Sequence, residues 1–172
     1  MKVFSGEGND GFTRTMRPGR LSKADLLIEV IGEIDETSAF LTWSFSQLKH
    51  TDLKPYLSHI LDDLTFMMAV LAGSDKEIFS TDRIQWLDDE IGKLAMSKQD
   101  VKGFILEWKH LGSIALNVSR TVIRRTERTL VRLAKVSEVP SELLVYFNRL
   151  STLIFLFQLT VESDLTPLDN NH

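Results

Sequence analysis

Apolar residues return along this chain at intervals of three and four, the spacing of a helix face rather than of a strand. Leu26, Leu27, Val30, Ile31, Ile34, Leu41, Phe45 and Leu48 make one stripe. Ser22-Lys-Ala-Asp25 just before it has the spacing of a capping box, so the first helix is expected to start at Ser22. A second helix is expected from about Asp52 to Ala72, stopped by Gly73-Ser74. A third runs from about Thr81 to Met96, with Ile84, Leu87, Ile91 and Leu94 on one side. After a loop around Ser97 to Gly103, a fourth covers about Glu107 to Lys135, and Pro140-Ser141 opens a fifth that ends before Pro167. Residues 1–21, rich in glycine and polar side chains, read as a loop. No segment carries a strand pattern, and no repeat has a fixed period. The pattern predicts an all-α, five-helix bundle formed as a single domain over 1–172: a loop at 1–21, the helical bundle at 22–166 and a tail at 167–172.

With 172 residues and 43% hydrophobic side chains, the chain can bury a sizeable core. The most apolar stretch, Leu143 to Val161, is interrupted by Asn148, Arg149 and Gln158, so it reads as a buried helix and no membrane partner is expected. Zero cysteines exclude disulfides and thiolate metal sites and fit a reducing compartment. The opening M-K-V-F-S-G lacks an apolar signal region, and a cytoplasmic location is expected. Asp and Glu outnumber Lys and Arg, 24 to 20, which argues against general nucleic-acid binding.

Against that acidic background, five of the ten arginines fall between Arg120 and Arg132, with no lysine among them. Arginine holds planar anions with a rigid fork of donors. At about 100° per residue, Arg120, Arg124 and Glu127 form one row, bordered by Asn117 and Arg128, with Arg125 and Arg132 further round. Val118, Val122, Ile123, Leu130 and Leu133 take the opposite side. Two readings stand: an outer face laced by Arg124–Glu127–Arg128 pairs, or guanidinium groups at successive turns converging on one polyanion. Gly6-Glu-Gly8-Asn-Asp-Gly11 spells a dinucleotide fingerprint but follows no strand; it can still offer backbone N–H groups to phosphate. Asn148, in an almost wholly apolar helix, is expected to be a buried amide needing partners or a ligand. His50, His59, His110 and His172 show no metal-ligand spacing, and no metal site is expected in the protein itself.

In chain order, these segments resemble the PduO-type ATP:cob(I)alamin adenosyltransferases. Ser5-Gly-Glu-Gly-Asn-Asp-Gly-Phe-Thr13 resembles the family's T-K-T-G-D-x-G-x-T loop, and Arg20-Leu-Ser-Lys23 its R-x-S-K. Glu29-Val-Ile-Gly-Glu-Ile-Asp-Glu36 resembles E-x-x-G-x-x-D-E, and Phe104-Ile-Leu106 resembles the start of F-x-L-P-G-G. Ser119 to Arg128 is similar to A-R-x-x-x-R-R-A-E-R, and Tyr146 to Ser151 to Y-L-N-R-L-S. The resemblance implies a homotrimer with active sites between subunits and transfer of the 5′-deoxyadenosyl group of ATP to cob(I)alamin, releasing triphosphate. It implies ATP held by Ser5, Gly8, Asp10, Gly11, Thr13, Lys23, Arg124, Glu127 and Asn148, with magnesium on the phosphates. Arg120 would pair with Asp35 across the subunit boundary, Phe104 would crowd the lower face of the corrin, and Arg124 would face the leaving polyphosphate. A flavoprotein reductase is implied as a partner.

The chain also departs from the family pattern. T-K-T becomes Ser5-Gly6-Glu7, which removes a phosphate-side lysine and puts an acid near where ATP would lie. L-P-G-G becomes Leu106-Glu-Trp-Lys109, placing Trp108 where glycine allows close approach, and Asn117 stands where histidine is usual. These changes leave a second reading: a non-catalytic corrinoid- or nucleotide-binding paralogue of the same fold.

Overall fold

The computed structural model describes residue 6 and residues 8–49, 52–74, 79–96 and 108–165. Five helices are present among the described residues: α1 Leu26–Ser46, α2 Lys54–Ala72, α3 Thr81–Met96, α4 Leu111–Ala134 and α5 Ser141–Leu165. They form the expected five-helix bundle. Helix α4 lies at its centre and packs most extensively against α1 on one side and α5 on the other; α2 completes the α1 side and α3 the α5 side.

The start of α1 differs from the expectation. Ser22 belongs to a two-residue strand β2 (Leu21–Ser22), paired antiparallel with β1 (Phe12–Thr13). A ladder this short shows no alternation in sequence, so the pattern could not reveal it. The Ser22/Asp25 pair does bond, as a turn ahead of the helix rather than as its cap. The Ser22 amide donates to Asp25 Oδ2 at 3.0 Å and the Ala24 amide to Ser22 Oγ at 3.1 Å. Asp25 then takes the N-cap position with extended backbone. Helix α4 also starts later than the sequence suggests, at Leu111 after an extended His110.

Helix α2 carries Pro55 in its first turn and ends at Gly73, whose φ of 95° lies in the left-handed region that glycine reaches without strain. The carbonyls left over at that end receive the N-terminal segment: Arg17 N donates to Ala72 O at 3.1 Å and Arg17 Nε to Leu71 O at 3.1 Å. A Cβ on residue 73 would lie 2.5 Å from Arg17 Cγ, so this glycine also makes room for the loop to dock.

The α1–α4 contact is close because α4 turns small residues inward. Gly112, Ala115, Ser119 and Thr126 are buried there, and the Thr37 and Thr126 hydroxyls bond across the seam at 3.0 Å. Ser44 and Ser119 make a second hydroxyl pair. On the other side α5 supplies the large side chains: Tyr146, Phe147, Leu150, Leu153, Ile154 and Phe157 are fully buried. Over Ser141–Ser163 this helix is long and apolar enough to cross a membrane by composition. Its packing against α3 and α4 accounts for that character as core.

Candidate active site

The residues singled out by sequence gather on two surfaces. The first is the loop before α1. Gly8 and Gly11 adopt φ of 93° and 83°, which bends the chain tightly enough for Lys23 to fold back over it. Lys23 Nζ donates to Gly8 O at 2.9 Å, and the Lys23 amide to Gly11 O at 2.8 Å. Arg20 Nη2 meets Asp10 Oδ1 at 2.6 Å, and its guanidinium stands 5.4 Å from the centre of the Phe12 ring. The hydrogen bond from Arg20 holds the Asp10 carboxyl below the usual carboxylate range. These contacts frame an open cleft of about 630 Å³ lined by Gly8, Asp10, Thr13, Arg14, Arg20 and Lys23 among others. Gly11 shapes the loop without lining the cleft. Arg14, which no motif marks, lines it, and so does Arg20, which the motif contains without an assigned ligand. Ser5 and Glu7 lie outside the described residues, as does Phe104.

The second surface is the α4–α5 groove. Asn117 Oδ1 accepts from Arg120 Nε at 3.2 Å and from Arg120 Nη2 at 2.9 Å, so the asparagine holds the fork in place. Burial, and after it the charge of Arg124, lowers the pKa of Arg120, which remains a cation at neutral pH. The Arg124 guanidinium is exposed and has no hydrogen-bond or ion-pair partner among the described residues. Glu127 Oε1 accepts from Asn148 Nδ2 at 3.2 Å, joining α4 to α5. Asn148 is exposed, contrary to the buried amide expected from its apolar neighbours. It sits on the edge of α5 that meets the arginine row, while the apolar side chains around it in sequence point into the core.

The arginine run therefore divides. Arg125 pairs with Glu36 and approaches Glu33 at 3.9 Å, and Arg132 Nη2 meets Glu29 Oε1 at 3.1 Å, so both tie α4 to α1. Arg128 Nη1 caps the Arg124 carbonyl at 2.9 Å. The Arg124–Glu127–Arg128 ladder expected of a plain solvated face is not what forms. Arg120 and Arg124 are left together, one half-buried and one without a neutralising partner. Like charges one turn apart cost a few tenths of a kcal/mol, a cost that a bound anion would reverse. Asp35 is exposed on α1 and does not reach Arg120 within one chain.

The turn entering α4 replaces a glycine-rich segment by a carboxylate from α5. Glu162 Oε1 accepts from the Lys109 amide at 2.9 Å, and Oε2 from Ser113 Oγ. This satisfies donors at the helix start from outside the helix. Partial burial raises the Glu162 pKa, but the bonds from Ser113 and from the Lys109 and His110 amides outweigh it, and the net shift is downward. The carboxyl is thus bound more favourably as the anion in the folded state. Its contribution is complete above the ordinary value of 4.5 and is lost as pH falls through the lowered folded value. Glu162→Gln is expected to lower stability by about 1–2 kcal/mol at neutral pH. In urea unfolding at a series of pH values the gap between variant and wild type closes below pH 4.5. Sequence motifs did not point to Glu162; its spacing of four turns from Asn148 on one face of α5 is the signal that does.

Solved structures carry the same architecture. A variant of a PduO-type ATP:corrinoid adenosyltransferase from Lactobacillus reuteri, complexed with ATP, superposes with a TM-score of 0.85 at 27% identity, covering 94% of both chains. Another variant of that enzyme, complexed with cobalamin and ATP, gives 0.84 at 27% identity over 91% of both. By sequence, a corrinoid adenosyltransferase of Citrobacter freundii is 27% identical over 90% of this chain and 91% of its own length. One from Bacillus subtilis is 29% identical over 90% and 83%. Residues 3–161, nearly the whole of what the loop cleft and the α4–α5 groove are built from, match the model for cobalamin adenosyltransferase, and the chain belongs to that family.

Proposed function

We propose that this protein transfers the 5′-deoxyadenosyl group of ATP to cob(I)alamin. The cobalt(I) electron pair attacks C5′ of the ribose, the C5′–O bond breaks, and triphosphate leaves with its electrons. The observation that carries the reading is the Arg120–Arg124 pair: two guanidinium groups on one face, one without a counter-charge, beside the Glu127–Asn148 bond. Charge builds on the triphosphate as the bond breaks, and cations already in place stabilise it without reorganisation. Arg124 is assigned to the leaving phosphates. Glu127 and Asn148 are assigned to the nucleotide, with Gly8, Asp10, Thr13 and Lys23 of the loop cleft; Ser5 and Gly11 join them through the motif.

The two surfaces do not share a lining residue among those described, which supports a site completed by a second copy. A homotrimer would place the loop of one subunit on the α4–α5 groove of the next and bring Asp35 to Arg120. Phe104 is assigned to the lower face of the corrin. Among the described residues no group of three His, Asp or Glu could hold a metal, so magnesium would ride on the ATP phosphates with waters, as its reluctance to dehydrate favours. A flavoprotein would supply the reduced corrinoid, and the cytoplasm would be the working compartment. The described part of the loop frames a cation-lined cleft, which supports binding of the nucleotide phosphates there.

The test is direct. Purified protein is titrated with ATP and magnesium and then given chemically reduced cobalamin. Spectral conversion to adenosylcobalamin with release of triphosphate is expected; its absence from folded, ATP-binding protein sinks the reading.

A further inference from the structure

Trp108 is one of the residues by which the turn before α4 departs from the family pattern, and the structure gives it a position. Its indole meets the Phe155 ring edge to face, with centroids 6.3 Å apart and planes at 85°. Both side chains are half-buried, so each keeps ring surface open. The level of this pair along the groove follows from two contacts. At one end Asn148 bonds Glu127, and at the other Glu162 bonds Ser113. Between them α4 runs from 113 to 127 and α5 from 162 to 148, antiparallel and in step. Arg120 lies seven residues from both α4 contacts, and Phe155 seven from both α5 contacts, which is two turns in each case. Arg120 and Phe155 therefore share one level, roughly 10 Å from either end. The groove at that level has a fixed cation held by Asn117 and an apolar wall made of Phe155 and Trp108.

We infer that Trp108, backed by Phe155, is a specificity residue that contacts the macrocycle of the corrinoid. The inference rests on the adenosyltransferase reading above. A corrin is a broad conjugated plane with carboxamide arms at its rim. An edge-to-face aromatic pair offers such a plane dispersion contact without asking for polar groups, and the neighbouring Arg120 fork can donate to a rim amide. The adenine of ATP is a smaller aromatic plane, and with the phosphates assigned to Arg124 one turn further along α4, separate KM values for ATP and corrinoid tell the two occupants apart. A glycine at this turn, as in the family pattern, has no side chain with which to make the contact.

The experiment compares wild type with Trp108→Phe and Trp108→Gly, each first shown by thermal melting to be folded. KM is measured for ATP and separately for two reduced corrinoids, cobalamin and cobinamide, the second lacking the lower base. Trp108→Gly is expected to raise KM for both corrinoids about tenfold and leave KM for ATP unchanged, while Trp108→Phe recovers most of the loss. Binding of the cobalt(II) corrinoids, followed by absorbance without turnover, is expected to weaken in parallel. An equal rise in both KM values would assign Trp108 to the fold alone. A loss confined to cobalamin would place the indole against the lower base instead, and either result overturns macrocycle contact. If Trp108→Gly does not fold, Trp108→Leu replaces it: corrinoid affinity equal to wild type in that variant also overturns the inference. Absence of turnover in wild type with either corrinoid is a different failure, that of the catalytic reading itself.

Discussion

Arg124→Ala is expected to reduce kcat for adenosyl transfer by about 10²–10³-fold while leaving the fold intact. The reduction corresponds to roughly 3–4 kcal/mol of transition-state stabilisation, the usual cost of removing one preorganised donor from developing negative charge. The folded state loses nothing comparable. The Arg124 side chain is exposed and takes no hydrogen-bond or ion-pair partner among the described residues. Alanine is the best helix former, and removing the charge relieves repulsion with Arg120. The melting temperature should hold or rise slightly, and that separates a site residue from a structural one. Steady-state kinetics with ATP and reduced cobalamin, beside a thermal melt, supply both readings. Arg124→Lys should fall between, since lysine restores the charge but not the planar fork. A loss of less than about tenfold in the alanine variant removes Arg124 from the leaving group.

The second large effect concerns stability. Asp63, fully buried on α2, bonds Arg83 of α3 and accepts from the Tyr146 hydroxyl of α5 at 2.7 Å. Arg83 in turn lies 4.4 Å from the centre of the Phe66 ring. One carboxylate thus joins three helices. Burial pushes the Tyr146 phenol upward, so it stays a neutral donor to Asp63 at any working pH. Asp63→Ala should cost about 2–4 kcal/mol in urea unfolding, because it leaves the buried Tyr146 hydroxyl and the partly exposed Arg83 guanidinium without their shared partner. A double replacement, Asp63→Leu with Arg83→Met, should recover much of that loss, since it removes both charges together. Full additivity of the two single costs would show that the pair is not coupled.

The arginine row shows where the sequence was sufficient. Its spacing alone put Arg120, Arg124 and Glu127 on one side of α4 and the valines and leucines on the other. The structure keeps that division, because the rotation from residue to residue within a helix is local. The spacing set Arg125 and Arg132 further round than Arg124 but could not name what they meet. Their carboxylate partners, Glu36 and Glu29, lie on α1, about ninety and a hundred residues away in sequence. Asn148 was misjudged for a related reason. An apolar neighbourhood along the chain does not decide which edge of a helix faces solvent, and this amide lies on the exposed edge. The capping pair at Ser22 bonds as the sequence suggested, but as a turn, since Ser22 lies in β2 and the helix begins only at Leu26.

By itself, then, the sequence determined the five helices, the two faces of α4 and the family resemblance, all of which depend on periodicity or on short motifs. Only the tertiary structure decided the register of α5 on α4, which sets Glu162 on the start of α4, Asn148 on Glu127 and the Trp108–Phe155 pair level with Arg120. Register is fixed by packing between residues far apart in the chain, where no local rule of spacing applies. The altered turn before α4 looked from the sequence like a defect in a binding loop. In the fold it is a helix entrance held by a carboxylate, with an aromatic wall beside the arginines.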